Sequence, residues 1–187
     1  QGAPVNDYLG VFDACAQFNA AARRFALEIA TGLDDLNEQD APSDRYARSF
    51  RERVLGGRVV TRLLRYMPQG AGDPLANLHR DRCAITVHWF SSHPGLVVFG
   101  PDKKPIPMRD TDPSQVLMFL GEKAWIATRG KYGTGVLHGA SNLSGAVPLQ
   151  ENRFVAVTFV HCALDPDLEW KEANRKQLDL NPAEYPL

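Results

Sequence analysis

The chain has 187 residues, of which 44% are apolar and 23% are charged, and its formal net charge is −1. These values are typical of one globular domain that buries a sizeable core without disulfides as staples. The near-zero charge argues against a nucleic-acid-binding protein, and no apolar run approaches the roughly 20 residues of a membrane helix.

Cysteine usage and the first residue bear on where the protein acts. The three cysteines, Cys15, Cys83 and Cys162, are far apart and odd in number, which argues against a disulfide framework or a zinc knuckle. A reduced, cytoplasmic protein is the simplest interpretation. The chain begins at Gln1 rather than Met, so we expect a processed or trimmed product, or a chain whose start is missing.

The first 57 residues carry two helical patterns. Apolar residues at steps of four and three predict an amphipathic helix over residues 7–31, which Gly32 would end. A second helix is predicted over residues 43–55, with Pro42-Ser43 as its start signal and Gly56-Gly57 as its stop. The apolar face of the first helix consists of Val11, Cys15, Phe18, Ala22, Phe25 and Ile29.

From residue 58 onward the sequence consists of short β-prone runs separated by Gly, Pro, Asn and Asp. The runs cover residues 58–67, 83–90, 95–99, 115–120, 124–128, 134–138 and 153–160. With no helical pattern between them, they favour a mainly β fold, an eight-stranded double-sheet jelly roll with N-terminal supporting helices. We expect one domain over residues 1–187: helical support (1–57), jelly-roll core (58–161) and a C-terminal arm with a short helix (162–187).

His79 and Asp81 are the informative pair among the groups that could bind a metal. Two side chains at positions i and i+2 of an extended segment point the same way, so they could bind one ion from one wall. An imidazole and a carboxylate suit a divalent metal such as Fe(II). His138, at the end of a strand-like run, is a candidate third ligand from the opposite wall. An H-x-D triplet alone is more often a surface charge or a cap.

The order of several weak motifs resembles the Fe(II)- and 2-oxoglutarate-dependent oxygenases, in particular the branch with plant hormone- and flavonoid-modifying enzymes and isopenicillin N synthase. The family's Tyr-Tyr-Pro segment and H-T-D-x-x-x-L-T motif are similar to Arg65-Tyr66-Met67-Pro68 and to residues 79–86. Residues 95–98, 116–122 and 130–138 are similar to the segments that follow, and Arg153-Phe154-Val155 matches the final R-x-S in part. The resemblance covers about residues 58–161.

This resemblance implies a double-stranded β-helix and an oxidoreductase activity. His79, Asp81 and His138 would hold Fe(II), and Arg153 would pair with the distal carboxylate of the cosubstrate 2-oxoglutarate. With O2, such an enzyme oxidises a small organic substrate and releases succinate and CO2. Hydroxylation is the expected outcome, and desaturation or ring closure would use the same site.

Arg153 also stands out without the family, because it opens an otherwise apolar strand and needs a partner if it is buried. The alternative is an exposed strand end at which Arg153 pairs with Glu151 or with water. A planar guanidinium offers two parallel donors to a buried carboxylate.

Three positions depart from the family pattern. Val155 stands where a serine usually supports the same carboxylate, which removes one hydrogen bond worth about 0.5–1.5 kcal/mol net. Met67 replaces the second tyrosine, and Arg65 replaces a common asparagine. Strand alternation puts Leu63, Arg65 and Met67 on one face, and the family match turns that face inward. Arg65 would then anchor an acidic substrate or support the cosubstrate; the alternative is a register off by one, with Arg65 in solvent.

Other interpretations stay open at this point. One is an isopenicillin N synthase-like oxidase that does not use 2-oxoglutarate, and another is a jelly-roll metal-binding or sensor module without catalysis. The family's N-terminal region is absent, so we expect a trimmed chain or a minimal version with a more open site. The stretch from Arg45 to Arg65 is locally basic, which fits a solvated face or a landing site for an anionic partner.

Overall fold

The computed structural model describes residues 5–40, 49–67, 74–109, 111–141, 151–163 and 168–179. A 3₁₀ helix, Arg175–Leu178, ends the described part. The other elements in chain order are α1 (Val5–Asp40), α2 (Phe50–Leu55), β1 (Val59–Tyr66), β2 (Pro74–His79), β3 (Ile85–Ser91), β4 (Leu96–Phe99), β5 (Pro105–Pro107), β6 (Leu117–Leu120), α3 (Glu122–Ala127), β7 (His138–Ser141), β8 (Arg153–Val160) and α4 (Leu168–Ala173).

Within these residues the strands form two four-stranded antiparallel sheets. The strand order is β1-β8-β3-β6 in the first sheet and β2-β7-β4-β5 in the second. Most neighbouring strands are therefore distant in sequence, as in a double-stranded β-helix. The prediction of a mainly β jelly roll that is preceded in the chain by helices is confirmed.

The pairing of β1 with β8 positions one wall of the interior. Its register is unbroken from Val59 opposite Val160 to Tyr66 opposite Arg153. Because side chains alternate between the faces of a strand, Tyr66 and Arg153 point into the sandwich while Thr61 points outward. Thr61 donates a hydrogen bond to Asn19 of α1, with 2.9 Å between Oγ1 and Oδ1.

Helix α1 covers the outer face of the first sheet. Its buried stripe consists of Ala22, Ala26 and Ala30, and the four-residue spacing puts them on one side of the helix. These small side chains pack with Ile85 and Val87 of β3 in the main hydrophobic core. No helix in the described part of the chain is long and apolar enough to cross a membrane.

The helical predictions were right in kind but not in extent. Gly32 does not end α1, which continues to Asp40. Leu33, the next residue, packs against the core, and the burial of its apolar side chain stabilises the additional turns of the helix. Residues 43–48 of the second predicted helix lie outside the described residues. The described helix begins at Phe50, after the N-cap Ser49, whose Oγ accepts a hydrogen bond from the Glu52 amide at 3.0 Å.

The strand predicted over residues 124–128 is wrong, because this segment is helix α3. Its residues 124–127 are all buried, and a short run of buried apolar residues has no period that separates helix from strand. The helix is favoured because its first turn finds acceptors nearby. The amides of Glu122 and Lys123 donate to the carbonyls of Asp81 and Cys83 at 2.7 and 3.0 Å.

The prediction over residues 134–138 is displaced, because β7 begins at His138 rather than ending there. Gly133 and Gly135 have φ angles of +82° and +89°, which are typical of turns and not of strands. Strands β2 and β5 were missed, since prolines at Pro74 and Pro105 disguise the β pattern. Proline is tolerated at the start of a strand and on an edge strand such as β5.

Candidate active site

His79, Asp81 and His138 converge at one end of the sandwich. His79 ends β2 and His138 begins β7, and the two are register partners across the second sheet. Their Nε2 atoms lie 3.5 and 3.6 Å from the two carboxylate oxygens of Asp81. The three ligand atoms all lie within 4.8 Å of one another, so the predicted convergence of these side chains is present in the fold.

The other nitrogen of each imidazole fixes its tautomer. The Nδ1 of His79 lies 2.7 Å from the Asn77 carbonyl, and that of His138 lies 3.0 Å from the Val136 carbonyl. A carbonyl only accepts, so each Nδ1 carries a hydrogen, and Nε2 is the nitrogen that presents a lone pair to a metal when the ring is neutral. Two neutral imidazoles and one carboxylate on the same side are the donor set that suits Fe(II), with open positions opposite.

The electrostatics of the triad also favour a bound cation. Burial would raise the pKa of Asp81, but its hydrogen bond with His79 and the proximity of His138 hold that pKa below its ordinary value. Burial lowers the pKa of His138. The shifts of Asp81 and His138 favour the ionised carboxylate and the neutral imidazole that a metal requires, whereas the hydrogen bond with Asp81 raises the pKa of His79, so His79 has to release a proton before its Nε2 can bind a metal.

Asp81 is held from two directions. The hydroxyl of Thr86 donates a short hydrogen bond to Asp81 Oδ2. On the other side, the first turn of α3 binds the backbone of residues 81–83 through the two amide contacts described above. Gly121, just before α3, is close to the same backbone: a Cβ there would lie 2.7 Å from the Asp81 carbonyl oxygen. The carboxylate therefore has a fixed position before any ligand arrives.

A narrow cavity of about 70 Å³ runs from this triad between the two sheets. Asp81 is the carboxylate and Arg153 the guanidinium among its lining residues, and most of the other lining residues are apolar. The residues that line it are Leu64, Tyr66, Ala76, His79, Asp81, Thr86, His88, Leu96, Phe119, His138, Gly139, Ala140, Arg153, Val155, Val157 and Phe159.

Arg153 is buried, with 2% of its surface exposed. This excludes the alternative of a solvated strand end. Its Nε donates to the His93 carbonyl at 3.0 Å and its NH2 donates to Ser91 Oγ at 2.9 Å. Its guanidinium carbon lies 5.3 Å from the centre of the Tyr66 ring. Burial raises the pKa of Tyr66, so at neutral pH its phenol remains a hydrogen-bond donor beside the guanidinium.

The prediction that Arg65 faces the site is wrong, and the alternative of a register shifted by one is right. Arg65 is exposed, as are Leu63 and Met67 on the same face, at 57% and 58%. Leu64 and Tyr66 line the cavity instead. Pro68, which followed them in the motif, lies outside the described residues. Tyr66 therefore takes the place in the cavity that the family match had given to position 67.

Val155 lines the cavity, and its register partner on β3 is Ser91. Ser91 also lies 2.9 Å from His88 Nε2, so a buried chain of polar contacts runs from His88 through Ser91 to Arg153. Ser91 has no role in the sequence motifs, because its place opposite Val155 depends on the β-bulge between His88 and Phe90. Thr86, in contrast, could have been recognised as a site residue from the sequence, since it is the last residue of the motif that begins at His79.

Solved structures with this fold were found by comparison of the coordinates. A Shewanella oneidensis protein described as an oxygenase superposes with a TM-score of 0.68 at 19% identity, over 88% of this chain and 65% of that chain. A full-length Neurospora crassa protein, solved in complex with α-ketoglutarate and 5-formyluracil, gives 0.62 at 17% identity, over 98% and 58%. Dioxygenase for auxin oxidation 1 of Arabidopsis thaliana, in its 2-oxoglutarate complex, gives 0.54 at 20% identity, over 72% and 49%.

These similarities show that the chain has the fold of these three structures, which agrees with the double-stranded β-helix that the sequence resemblance predicts. The chain spans between about half and two thirds of the length of the three solved structures. No protein-family profile matches the sequence, and a search of curated proteins found no similar sequence.

Proposed function

We propose that this protein is an Fe(II)- and 2-oxoglutarate-dependent oxygenase that hydroxylates a small organic substrate. One observation carries the proposal: a His-Asp-His triad and a buried arginine line the same narrow cavity. The first suits a divalent metal, and the second suits the far carboxylate of a short dicarboxylic acid. Two solved structures of this fold, a dioxygenase with 2-oxoglutarate and the Neurospora crassa protein with α-ketoglutarate, support the same assignment.

His79, Asp81 and His138 would hold the iron through two Nε2 atoms and a carboxylate oxygen. Bound Fe(II) supplies the redox chemistry that couples O2 to 2-oxoglutarate and to a C–H bond. In the balanced reaction, one oxygen atom of O2 enters succinate as CO2 leaves, and the other converts C–H to C–OH. Loss of CO2 supplies two of the four electrons that O2 takes up, and the C–H bond supplies the other two.

The chain's own task at the opposite end of the cavity is to hold the cosubstrate. Arg153 offers a guanidinium that Ser91 and the His93 carbonyl already orient, and the Tyr66 phenol lies beside it. The apolar side chains between the arginine and the triad, Val155 and Val157 among them, exclude water and strengthen these charged contacts. A dicarboxylate seated there would present its 2-oxo acid end to the triad.

The experiment that tests the proposal is an anaerobic titration of the purified protein. Addition of Fe(II) and then 2-oxoglutarate is expected to produce a visible charge-transfer absorption band. On admission of O2, succinate is expected to form even without substrate, at a low rate. If Fe(II) binds but 2-oxoglutarate leaves the absorption spectrum and the protein's melting temperature unchanged, the cosubstrate assignment is overturned.

A second candidate is an oxidase of the same fold that needs no 2-oxoglutarate. Val155 favours it, because the serine that usually completes the carboxylate site is missing at that position. The buried Arg153 favours the first candidate, since a guanidinium in an apolar cavity is stabilised by an anionic ligand. The titration separates the two, and absence of any divalent-ion binding would leave a jelly-roll module without catalysis.

A cytoplasmic location is part of this proposal. Cys15, Cys83 and Cys162 are all free thiols in the structure. Free cysteines persist in reducing compartments, which supports this location.

A further inference from the structure

A second and much larger cavity adjoins the triad. This groove has a volume of about 680 Å³ and shares four lining residues with the narrow cavity: Leu64, His79, Asp81 and Phe159. A molecule in the groove would therefore lie against the proposed metal position. The other residues that line the groove are Arg58, Val60, Arg62, Arg80, Arg82, Cys83 and His161.

The charge of the groove is strongly unbalanced. Four arginines line it, and among the described residues Asp81 is the one acidic group in its lining. Since the proposed metal would neutralise Asp81, the groove keeps an excess of positive charge. Arg58, Arg62 and Arg82 are all exposed, and none has a salt-bridge partner within the described part of the chain.

Arg62 is the most informative of the four. It lies on the inward face of β1 between Val60 and Leu64, where a sandwich normally places apolar side chains. Its guanidinium carbon lies 5.2 Å from the centre of the Phe159 ring, a cation–π contact that fixes it at the groove wall. Arg65, one strand position from Leu64, points to the opposite face. The inward charge of β1 is therefore Arg62, and it faces the groove.

His161 also lines the groove and lies within the electrostatic influence of two of its arginines. Burial lowers its pKa, and the positive charges of Lys123, Arg58 and Arg62 lower it further. Arg58 and Arg62 therefore add positive charge beside His161 in the lining of the groove.

We propose that the oxidised substrate is a small organic anion, carrying a carboxylate or a phosphate, that binds in this groove against the triad. The inference rests on the oxygenase function and adds the chemical class of its substrate. A small anion is favoured over a nucleic acid because the arginines converge on one cavity, while the chain as a whole has a net charge of −1. Arginine suits either anion through paired N–H donors.

The test uses the full chain loaded anaerobically with Fe(II) and saturating 2-oxoglutarate, so that the narrow cavity is filled. Calorimetric titrations with benzoate, phenyl phosphate and benzyl alcohol compare a carboxylate, a phosphate and a neutral analogue. We expect one of the two anions to bind at least tenfold more tightly than benzyl alcohol and more weakly at high salt. The preferred anion identifies which of the two chemical groups the substrate carries.

The matched variants are Arg62→Gln and Arg65→Gln, which remove the same charge from opposite faces of β1. Arg62→Gln is expected to weaken binding of the preferred anion at least tenfold, and Arg65→Gln less than twofold. Arg82→Gln, also exposed, is expected to behave as Arg62→Gln does and guards against a local folding defect. Equal losses in Arg62→Gln and Arg65→Gln would overturn the proposal, because long-range charge would then explain the binding.

Two further outcomes would also overturn it. The neutral analogue could bind as tightly as the anions, or a short single-stranded oligonucleotide could bind more tightly than either anion with the same arginine dependence. These failures are distinct from failure of the oxygenase function, because Fe(II) and 2-oxoglutarate binding are measured first in the same sample. A protein that binds both and shows no preference for anions retains its proposed function.

Discussion

Ser91 and Val155 lie directly opposite each other on adjacent antiparallel strands, and the serine hydroxyl accepts a hydrogen bond from Arg153. The serine expected at position 155 is therefore replaced by one on the neighbouring strand. Ser91 does not line the narrow cavity, so it acts by positioning the guanidinium. Ser91 therefore supports the arginine of the proposed cosubstrate site even though Val155 lacks the hydroxyl expected from the sequence motif.

Removal of this hydroxyl is expected to weaken cosubstrate binding selectively. Ser91→Ala should raise the dissociation constant of 2-oxoglutarate about tenfold, the effect of losing one hydrogen bond to a charged group. Fe(II) affinity should not change. The double variant Ser91→Ala/Val155→Ser should restore part of the binding, which a merely structural role for Ser91 would not explain. Anaerobic calorimetry measures both constants, and unchanged 2-oxoglutarate binding in Ser91→Ala would contradict this role.

The hydrogen bond from Thr86 to Asp81 leads to a prediction for the metal. Thr86→Val keeps the shape of the side chain and removes the donor, so it should lower Fe(II) affinity about 10- to 100-fold, as for other groups that orient metal ligands. Asp81→Asn should lower it further. Thr61→Val, on the outward face of β1, is the matched control and should leave metal affinity unchanged. Competition with a chromophoric chelator provides the measurement, and equal affinities for Thr86→Val and wild type would count against the role of Thr86.

Two glycines are expected to respond in opposite ways to alanine. Gly32 lies inside α1 with nothing within 4 Å of the position that an added methyl group would take, so Gly32→Ala should stabilise the fold by about 0.5–1 kcal/mol. Gly121→Ala would push a methyl group into the backbone of residues 81–83. It should lower both the melting temperature and the Fe(II) affinity. Thermal denaturation with and without Fe(II) checks both, and a stable Gly121→Ala variant with wild-type metal affinity would show that α3 does not position Asp81.

An isoleucine-to-alanine substitution should lower the free energy of unfolding far more in the core than on the surface. Ile85 is fully buried under α1, so Ile85→Ala should cost about 2–5 kcal/mol of unfolding free energy. Ile106 on the edge strand β5 is 48% exposed, and Ile106→Ala should change stability by less than about 0.5 kcal/mol. Urea denaturation followed by circular dichroism gives both values. Similar losses in the two variants would mean that α1 does not seal this core.

Thiol reactivity depends on burial and pH. Burial raises the pKa of Cys162 to about 11, so at pH 8 its thiolate fraction is very small. Iodoacetamide at pH 8 should therefore modify the half-buried Cys15 well before Cys162, and denaturant should remove the difference. Because the thiolate fraction grows as pH approaches the pKa, the rate at Cys162 should rise with pH. Mass spectrometry of digested samples measures each site, and rapid labelling of Cys162 at pH 8 would contradict its burial.

The parts of the fold that followed from the sequence are those with local signals. The stretch from Arg153 to Val160 is predicted as a strand with the observed bounds, since six of its eight residues are β-branched or aromatic. The His-Asp-His triad could be predicted because an H-x-D triplet and a distant histidine occur in a recognisable order. These signals depend on neighbouring residues or on motif order, both of which are visible in one chain.

The errors arose where long-range contacts decide the structure. Helix α3 was predicted as a strand because the carbonyls that stabilise its first turn belong to residues 81–83, about 40 positions earlier. The inward face of β1 was assigned to Arg65 because the register depends on pairing with β8. The sequence groups Arg58 and Arg62 in one basic stretch, but Arg80 and Arg82 line the same groove only because of the fold.

The odd-numbered and even-numbered residues of strand β8 lie on opposite faces and have different roles. Arg153, Val155 and Val157 line the narrow cavity, while Thr158 and Val160 are buried on the face toward α1. An insertion or deletion of one residue would exchange the two faces, so stability and chemistry would be lost together. Point substitutions at the odd positions can instead change which ligand the cavity binds without disturbing the packing of β8 against α1. The strand is thus open to evolutionary change in side chain but closed to change in length.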